Sequence, residues 1–204
     1  MKKFITFEGG EGSGKSTLIN NLCAYLDANK IVYNKVREPG GLPVCEKIRE
    51  IVKYSDQTIC KNAELLLFSA SRAQLVNDFI LPKLNNGEIV ICDRFYDSSR
   101  VYQGFASGID DEVVMQITRF ATQGLEPKLT FFLNIDPEVA FARKGGRDKG
   151  DRIEAKNLDY HNKVRNGYLQ IAQNEKRFVV LDATLPEQEL VNIVVNKLKE
   201  EKII

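Results

Sequence analysis

Residues 9–16 read Gly9-Gly10-Glu11-Gly12-Ser13-Gly14-Lys15-Ser16, and they follow directly on Phe4-Ile5-Thr6-Phe7-Glu8. The apolar run has the composition of a buried strand, and the glycines end it. The eight residues satisfy the pattern G-x-x-x-x-G-K-[ST] in full. Such a loop must curl so that several backbone N–H groups converge on one anion, and glycine tolerates the positive φ values this requires. Behind it, Leu18, Leu22, Tyr25 and Leu26 recur at helical spacing, so a helix points its positive end at the same spot. Lys15 adds a mobile charge for outer phosphates, and Ser16 a hydroxyl for Mg²⁺. A glycine-rich turn can match eight positions by chance. A strand before it and an amphipathic helix after it are the context that marks a phosphate-binding loop, here Gly9 to Thr17.

Further along, Ile89-Val90-Ile91-Cys92-Asp93 is a second apolar strand that ends in a carboxylate. Alone, Asp93 reads as a turn cap; beside a P-loop it reads as part of a Mg²⁺ shell. The other strand candidates are 32–36, 129–133 and 178–181. Four of the five runs are nearly continuous in apolar residues, which suits strands covered on both faces. Helical patterns lie between them, among them 62–84 and 190–198. The alternation predicts an α/β fold, a parallel sheet flanked by helices. Neither a repeat nor a Pro/Ser linker divides the 204 residues, so one domain over 1–204 is expected. One stretch breaks the pattern: Ala142 to Arg152, ARKGGRDKGDR, has five basic residues and three glycines. It reads as an exposed loop between two helices.

Composition narrows the class. The formal charge is +1, from 29 basic and 28 acidic residues, which argues against a generic nucleic-acid or membrane-surface protein. The four cysteines (Cys23, Cys45, Cys60, Cys92) are scattered without a CxxC, and the single His161 cannot complete the usual zinc spacing. Scattered thiols fit a reducing compartment. No basic-then-apolar leader precedes the first strand and no apolar run reaches ~20 residues. The expectation is a cytoplasmic protein with no nucleic-acid or membrane partner.

Among P-loop classes, a regulatory GTPase needs N-K-x-D; Asn34-Lys35-Val36-Arg37 and Asn162-Lys163-Val164-Arg165 both lack the Asp. Large ATPases usually need a longer chain. A kinase of a small phosphate acceptor needs a second anion site, a base pocket and a closing basic lid. Arg37, Arg49 and Arg94 are candidates for the first. Phe68 and Arg72, at i and i+4 on one helical face, are candidates for the second. The basic stretch, as a lid over 142–153, is the third. Each residue also has a plainer reading: Phe68 and Tyr102 as packing, Arg72 as a capping arginine, Arg94 in a structural ion pair, the basic loop as a solvated surface. Their joint occurrence behind one P-loop favours the kinase.

FEGGEGSGKST, REPGG, LLLFSASRAQ, DRFYDSSRVYQG and DRIE, in this order and spacing, resemble bacterial thymidylate kinases over nearly the whole chain. The resemblance implies a five-stranded parallel sheet of the nucleoside-monophosphate-kinase kind. It implies transfer of the γ-phosphoryl group from ATP to dTMP with Mg²⁺, and a homodimer. By the same resemblance Phe68 stacks on thymine and Arg72 donates to a base carbonyl, while Ser99 and Gln103 lie along the base edge. Tyr102 crowds the 2′ position and Glu11 approaches the 3′-hydroxyl. Arg94, with Arg37 and Arg49, holds the acceptor phosphate beside Glu38 and Pro39. Asp93 and Ser16 serve Mg²⁺. Some members carry a basic residue inside the P-loop and others in the lid. Gly12 stands at the loop position here, so the resemblance assigns the catalytic cations to Lys15, Arg94 and a lid residue, with Arg147 first and Arg143, Lys149 and Arg152 as alternatives. Two stretches depart from the family pattern, Val44-Cys45 and Phe105-Ala106-Ser107-Gly108, both expected on the acceptor side. The competing activities are phosphorylation of another nucleoside monophosphate or a deoxynucleoside, and nucleotide binding without turnover.

Overall fold

The computed structural model describes residues 3–146 and 151–204. The strands are β1 (Phe4–Gly9), β2 (Tyr33–Arg37), β3 (Ile89–Asp93), β4 (Leu129–Asn134) and β5 (Phe178–Asp182). All pair in parallel in the order β2-β3-β1-β4-β5. The α-helices among the described residues are α1 (Lys15–Ala28), α2 (Pro43–Tyr54), α3 (Lys61–Leu75), α4 (Leu81–Asn85), α5 (Tyr96–Ser99), α6 (Asp111–Thr122), α7 (Pro137–Lys144), α8 (Leu158–Asn174) and α9 (Glu187–Glu200), and a π-helical segment, Arg100–Phe105, follows α5.

Side-chain alternation decides which layer each strand residue joins. Ile5, Phe7, Ile89, Ile91, Leu129, Phe131 and Leu133 all face one core, shared with α1 and α9. Their neighbours Phe4, Val90 and Cys92 face the opposite core, with Leu75, Val76, Ile80 and Leu84. The register holds these sets together, Phe4 beside Val90 and Ile5 beside Ile91. Thr6 and Thr130, polar but fully buried, satisfy each other through a 2.8 Å hydroxyl bond between β1 and β4.

Chain order reverses around β1, which lies between β3 and β4. Open α/β sheets bind ligands at such a point, outside the carboxyl ends of the strands. The P-loop leaves β1 there, and Asp93 ends β3 beside it.

Three expectations need correction. The flanking strands β2 and β5 are edges and only partly buried; Val180 is 47% exposed and Val32 lies outside β2 altogether. An apolar run therefore did not mark a fully covered strand in β5, which lies at the edge of the sheet. The 62–84 pattern is one continuous helical path, but a π-helical turn at Val76–Ile80 separates α3 from α4. The stretch expected as loop from Ala142 is helical through Lys144, because α7 continues until Gly145, whose φ of +85° stops it. At the other end of that stretch Asp151, Ile153 and Glu154 are buried rather than solvated.

Candidate active site

The P-loop folds back on its own lysine. Lys15 Nζ donates to the carbonyls of Gly9 and Gly10, each at 3.0 Å, and to Ser13 Oγ at 3.4 Å. Burial lowers the Lys15 pKa and Arg94 lowers it further, while Glu11, Asp93 and Glu8 pull it the other way. Gly12, with φ +71°, has no room for a side chain with α7 in its present place: a Cβ there would lie 2.5 Å from the Ala140 carbonyl oxygen.

On one side of the loop is a cavity of about 240 Å³. Of the residues expected at the acceptor, Glu11, Arg37, Glu38, Pro39, Arg49, Phe68, Arg94, Ser99, Tyr102 and Gln103 line it, together with Lys15, Ser16 and Asp93. Phe68 is half-buried and faces this cavity instead of joining the core. Arg37 sits at the rim, gripped by Glu46 through two bonds of 3.0 and 2.9 Å. Arg49 donates to the Pro39 carbonyl at 2.9 Å. Arg72 stands one layer back. It is 1% exposed and donates from Nε to Glu38 at 2.8 Å, from Nη1 to Ser99 at 3.1 Å and from Nη2 to the Phe95 carbonyl at 3.2 Å. It thus forms the support of the wall that Ser99 and Glu38 present. Burial pushes the Glu38 carboxyl up to about 7, against the pull of Arg72.

Arg94 occupies the turn after β3 with φ +68°, a left-handed conformation uncommon for a non-glycine residue. Its own N–H donates to the Phe7 carbonyl at 2.9 Å, and the Phe95 N–H donates to Glu8 Oε1 at 2.8 Å, which fixes the turn across two strands. The guanidinium reaches Glu11 at 2.6 Å, Ser98 at 3.3 Å and lies 5.2 Å above the Tyr102 ring. Burial alone would raise the Glu11 carboxyl; Arg94 and Lys15 outweigh it and hold it at about 2. The cavity therefore carries fixed cations and an ionised acid before any ligand enters.

Four contributors were not foreseen. Lys53, Ser98, Asp151 and Ile153 also line the cavity. Lys53 pairs with Asp151, while Arg152 donates to the Val52 carbonyl at 2.7 Å and its N–H to the Lys53 carbonyl at 2.9 Å. The end of the lid stretch is thereby docked on the end of α2. Glu8 is the other omission: fully buried, it receives Ser98 Oγ at 2.6 Å and Tyr168 OH at 2.7 Å besides the Phe95 N–H. Its one sequence signal was a charge inside an apolar strand. The family departures do not reach the cavity. Cys45 is buried with its Sγ 3.3 Å from the Ser71 carbonyl, and Ser107 Oγ donates to the Tyr102 carbonyl at 2.7 Å.

Across the P-loop a second cavity, of about 420 Å³, is lined by Gly12, Ser13, Gly14 and Thr17 of the loop and by Arg143, Lys144, Ala183 and Leu185. Arg143 Nη1 donates to the Ala183 carbonyl at 2.7 Å, which ties α7 to the β5–α9 connection. That connection was not foreseen either. Arg147 and Lys149 lie outside the described residues.

A hard cation has donors here. Asp93 Oδ1 is buried and has no hydrogen-bond partner among the described residues. Ser16 Oγ lies 3.5 Å from Asp93 Oδ2. A hydroxyl and a carboxylate beside a phosphate loop are the oxygen donors that Mg²⁺ takes, its remaining positions going to phosphate and water.

The sequence model of the thymidylate kinase family matches residues 7–194. A curated thymidylate kinase of Sulfurihydrogenibium sp. is 44% identical over 206 residues, covering 100% of both chains. One of Symbiobacterium thermophilum is 46% identical, covering 93% of this chain and 89% of its own. The crystal structure of thymidylate kinase from Ehrlichia chaffeensis superimposes with a TM-score of 0.76 at 30% identity, covering 96% of this chain and 97% of its own.

Proposed function

Because the chain belongs to the thymidylate kinase family, we propose that its two cavities are the donor and acceptor halves of one phosphoryl-transfer site. The enzyme phosphorylates dTMP to dTDP at the expense of ATP. The observation that carries the assignment of sites is the position of Lys15, in the loop that separates the two cavities and within reach of the acceptor side. ATP takes the larger cavity, with its phosphates on the backbone of Gly9 to Thr17. The dTMP base lies against Phe68, bounded by Ser99 and Gln103, with Arg72 behind. Its phosphate meets Arg94, Arg49 and Arg37. Tyr102 and Glu11 face the sugar.

Transfer of this kind requires alignment and charge neutralisation more than covalent chemistry. The attacking oxygen of a monophosphate is already ionised, so no general base is required. Lys15 leaves the loop carbonyls for the outer phosphates of ATP, and Arg94 turns from Glu11 toward the acceptor phosphate. Bound Mg²⁺, held by Ser16 and Asp93, would neutralise charge on the donor phosphates. Residues 1–204 act as one kinase domain, with 142–153 as its lid.

With Gly12 in the loop, a cation must come from the lid, and Arg147 is the residue we assign. A contact made in the closed state lowers kcat more than it raises KM. Arg147→Ala is therefore expected to show that pattern in steady-state kinetics. Wild-type kcat in Arg147→Ala, with a loss in Arg143→Ala or Lys149→Ala instead, would move the role to another lid residue.

A homodimer fits the exposed apolar residues of two helices that pack together: Leu66 on α3 (55% exposed), and Val113 (45%) and Phe120 (88%) on α6. Isologous burial of such a patch against a second copy removes it from water. Phe120→Glu is expected to shift sedimentation from dimer toward monomer. A wild-type protein that sediments as a monomer at micromolar concentration excludes the dimer. No helix among the described residues is long and apolar enough to cross a membrane, and all four cysteines are free. Both support a cytoplasmic location, which cell fractionation checks.

The activity is tested by coupled ADP release with dTMP, dUMP, dCMP and dGMP. Thymine presents a carbonyl where cytosine presents an amino group, so dTMP is expected to lead and dCMP to trail. ATP binding with no dTMP-dependent ADP release would overturn the reading.

A further inference from the structure

Gln103 lines the acceptor cavity, yet one end of its amide is turned away from it. Its Nε2 donates to Glu64 Oε1 at 3.0 Å, in a contact between residues that are 2% and 3% exposed. The other oxygen of Glu64 faces Arg152, with Nη2 at 3.4 Å and Nη1 at 3.5 Å. A carboxylate only accepts hydrogen bonds. The choice of amide end is therefore forced: the nitrogen must meet Glu64, and the carbonyl oxygen is the end left for the cavity. Without Glu64 the two ends of a glutamine are nearly equal in shape, and a half-turn of the last torsion exchanges them.

That choice matters for a pyrimidine. N3 of thymine and uracil carries a hydrogen, which a carbonyl oxygen accepts. N3 of cytosine carries a lone pair, which the same oxygen repels and an amide N–H would welcome. We infer that Glu64 is a positioning residue for base selection: it fixes the amide of Gln103 so that the site reads the N3 hydrogen of the acceptor base. The inference rests on the reading of the Phe68–Gln103 cavity as the seat of the dTMP base. It adds a residue that does not line that cavity.

The test replaces Glu64 by its isostere. In Glu64→Gln the new amide meets Arg152, a donor, so its own oxygen turns to Arg152 and its nitrogen to residue 103. Gln103 is then driven to reverse and to offer its N–H to the base. The kcat/KM ratio of dTMP to dCMP is expected to fall by about tenfold or more, as a site loses a paired group and gains a mismatched one. dUMP, which shares the thymine edge, should fall in parallel with dTMP. A purely structural role would lower all three substrates alike and leave the ratio where it was, and that result overturns the inference. Glu64→Met, which fills similar space with no acceptor, carries the same expected fall in ratio should the first variant be poorly folded. In a Gln103→Leu background Glu64→Gln should leave the ratio unchanged; a further fall there would also overturn the inference. The wild-type ratio separates the two levels. If the unmodified enzyme does not prefer dTMP to dCMP, the base-site reading fails and takes this inference with it. If it does, the variants test Glu64 alone.

Discussion

Lys15→Ala should leave a folded protein whose turnover is reduced on the order of 10²–10³-fold, the usual loss when a preorganised charge is taken from a transition state. The resting ammonium already spends its hydrogen bonds on loop carbonyls and Ser13, at 3.0 to 3.4 Å, and is only 7% exposed. Those contacts hold it ready but are weaker partners than a phosphate. The fold does not depend on them, because the loop's path is set by its glycines and by its packing against α7 near Ala140. Burial lowers the lysine's pKa, so the site holds that charge against a desolvation cost. Rate and stability should therefore separate: kcat falls while the thermal midpoint stays near the wild type. Lys15→Met, which keeps the length and loses the charge, controls for the cavity. A folded Lys15→Ala protein with wild-type kcat would remove the loop from the mechanism.

Arg94→Gly is the sharper probe of the acceptor side. Glycine adopts φ near +68° without strain, and the backbone bonds of residue 94 to Phe7 and of residue 95 to Glu8 need no side chain. The turn should persist while the guanidinium is lost. What disappears is the 2.6 Å contact to Glu11 and the cation over Tyr102. Left behind is a carboxylate at Glu11 with less to hold it ionised, and a proposed phosphate site without its main cation. kcat/KM for dTMP is expected to drop about 10²–10³-fold, with KM for ATP much less affected. An alanine at the same position would mix this effect with backbone strain. If dTMP kinetics are unchanged in Arg94→Gly, the acceptor phosphate is held elsewhere.

The parts of this site that were legible in the sequence are those whose chemistry is local. The P-loop declares itself in eight consecutive residues, and Asp93 ends a strand whose apolar run is unmistakable. The parallel sheet follows from the alternation of strands with helices, although its strand order does not. Spacing showed less elsewhere. Phe68 and Arg72 do share a helix face, but spacing says nothing of depth: Phe68 reaches the cavity, while Arg72 is buried behind Ser99 and Glu38. Lys53 and Asp151 become part of the site only because the end of α2 and the end of the lid stretch meet in space, nearly a hundred positions apart. Glu8 and Glu64 look like an interrupted strand and a surface helix residue; both are buried acceptors whose partners come from distant segments. Tertiary meetings of this kind leave no pattern along one chain.

Gly12 carries a consequence for how such an enzyme can diversify. Its missing Cβ is occupied by the backbone of Ala140, and α7 runs from there to the lid. A lineage that placed a basic side chain at position 12 would have to shift α7, and with it the segment from which we propose the cation comes. A cation in the loop and a cation in the proposed lid are thus in conflict over the position of α7. At the loop, a single backbone carbonyl stands against any side chain.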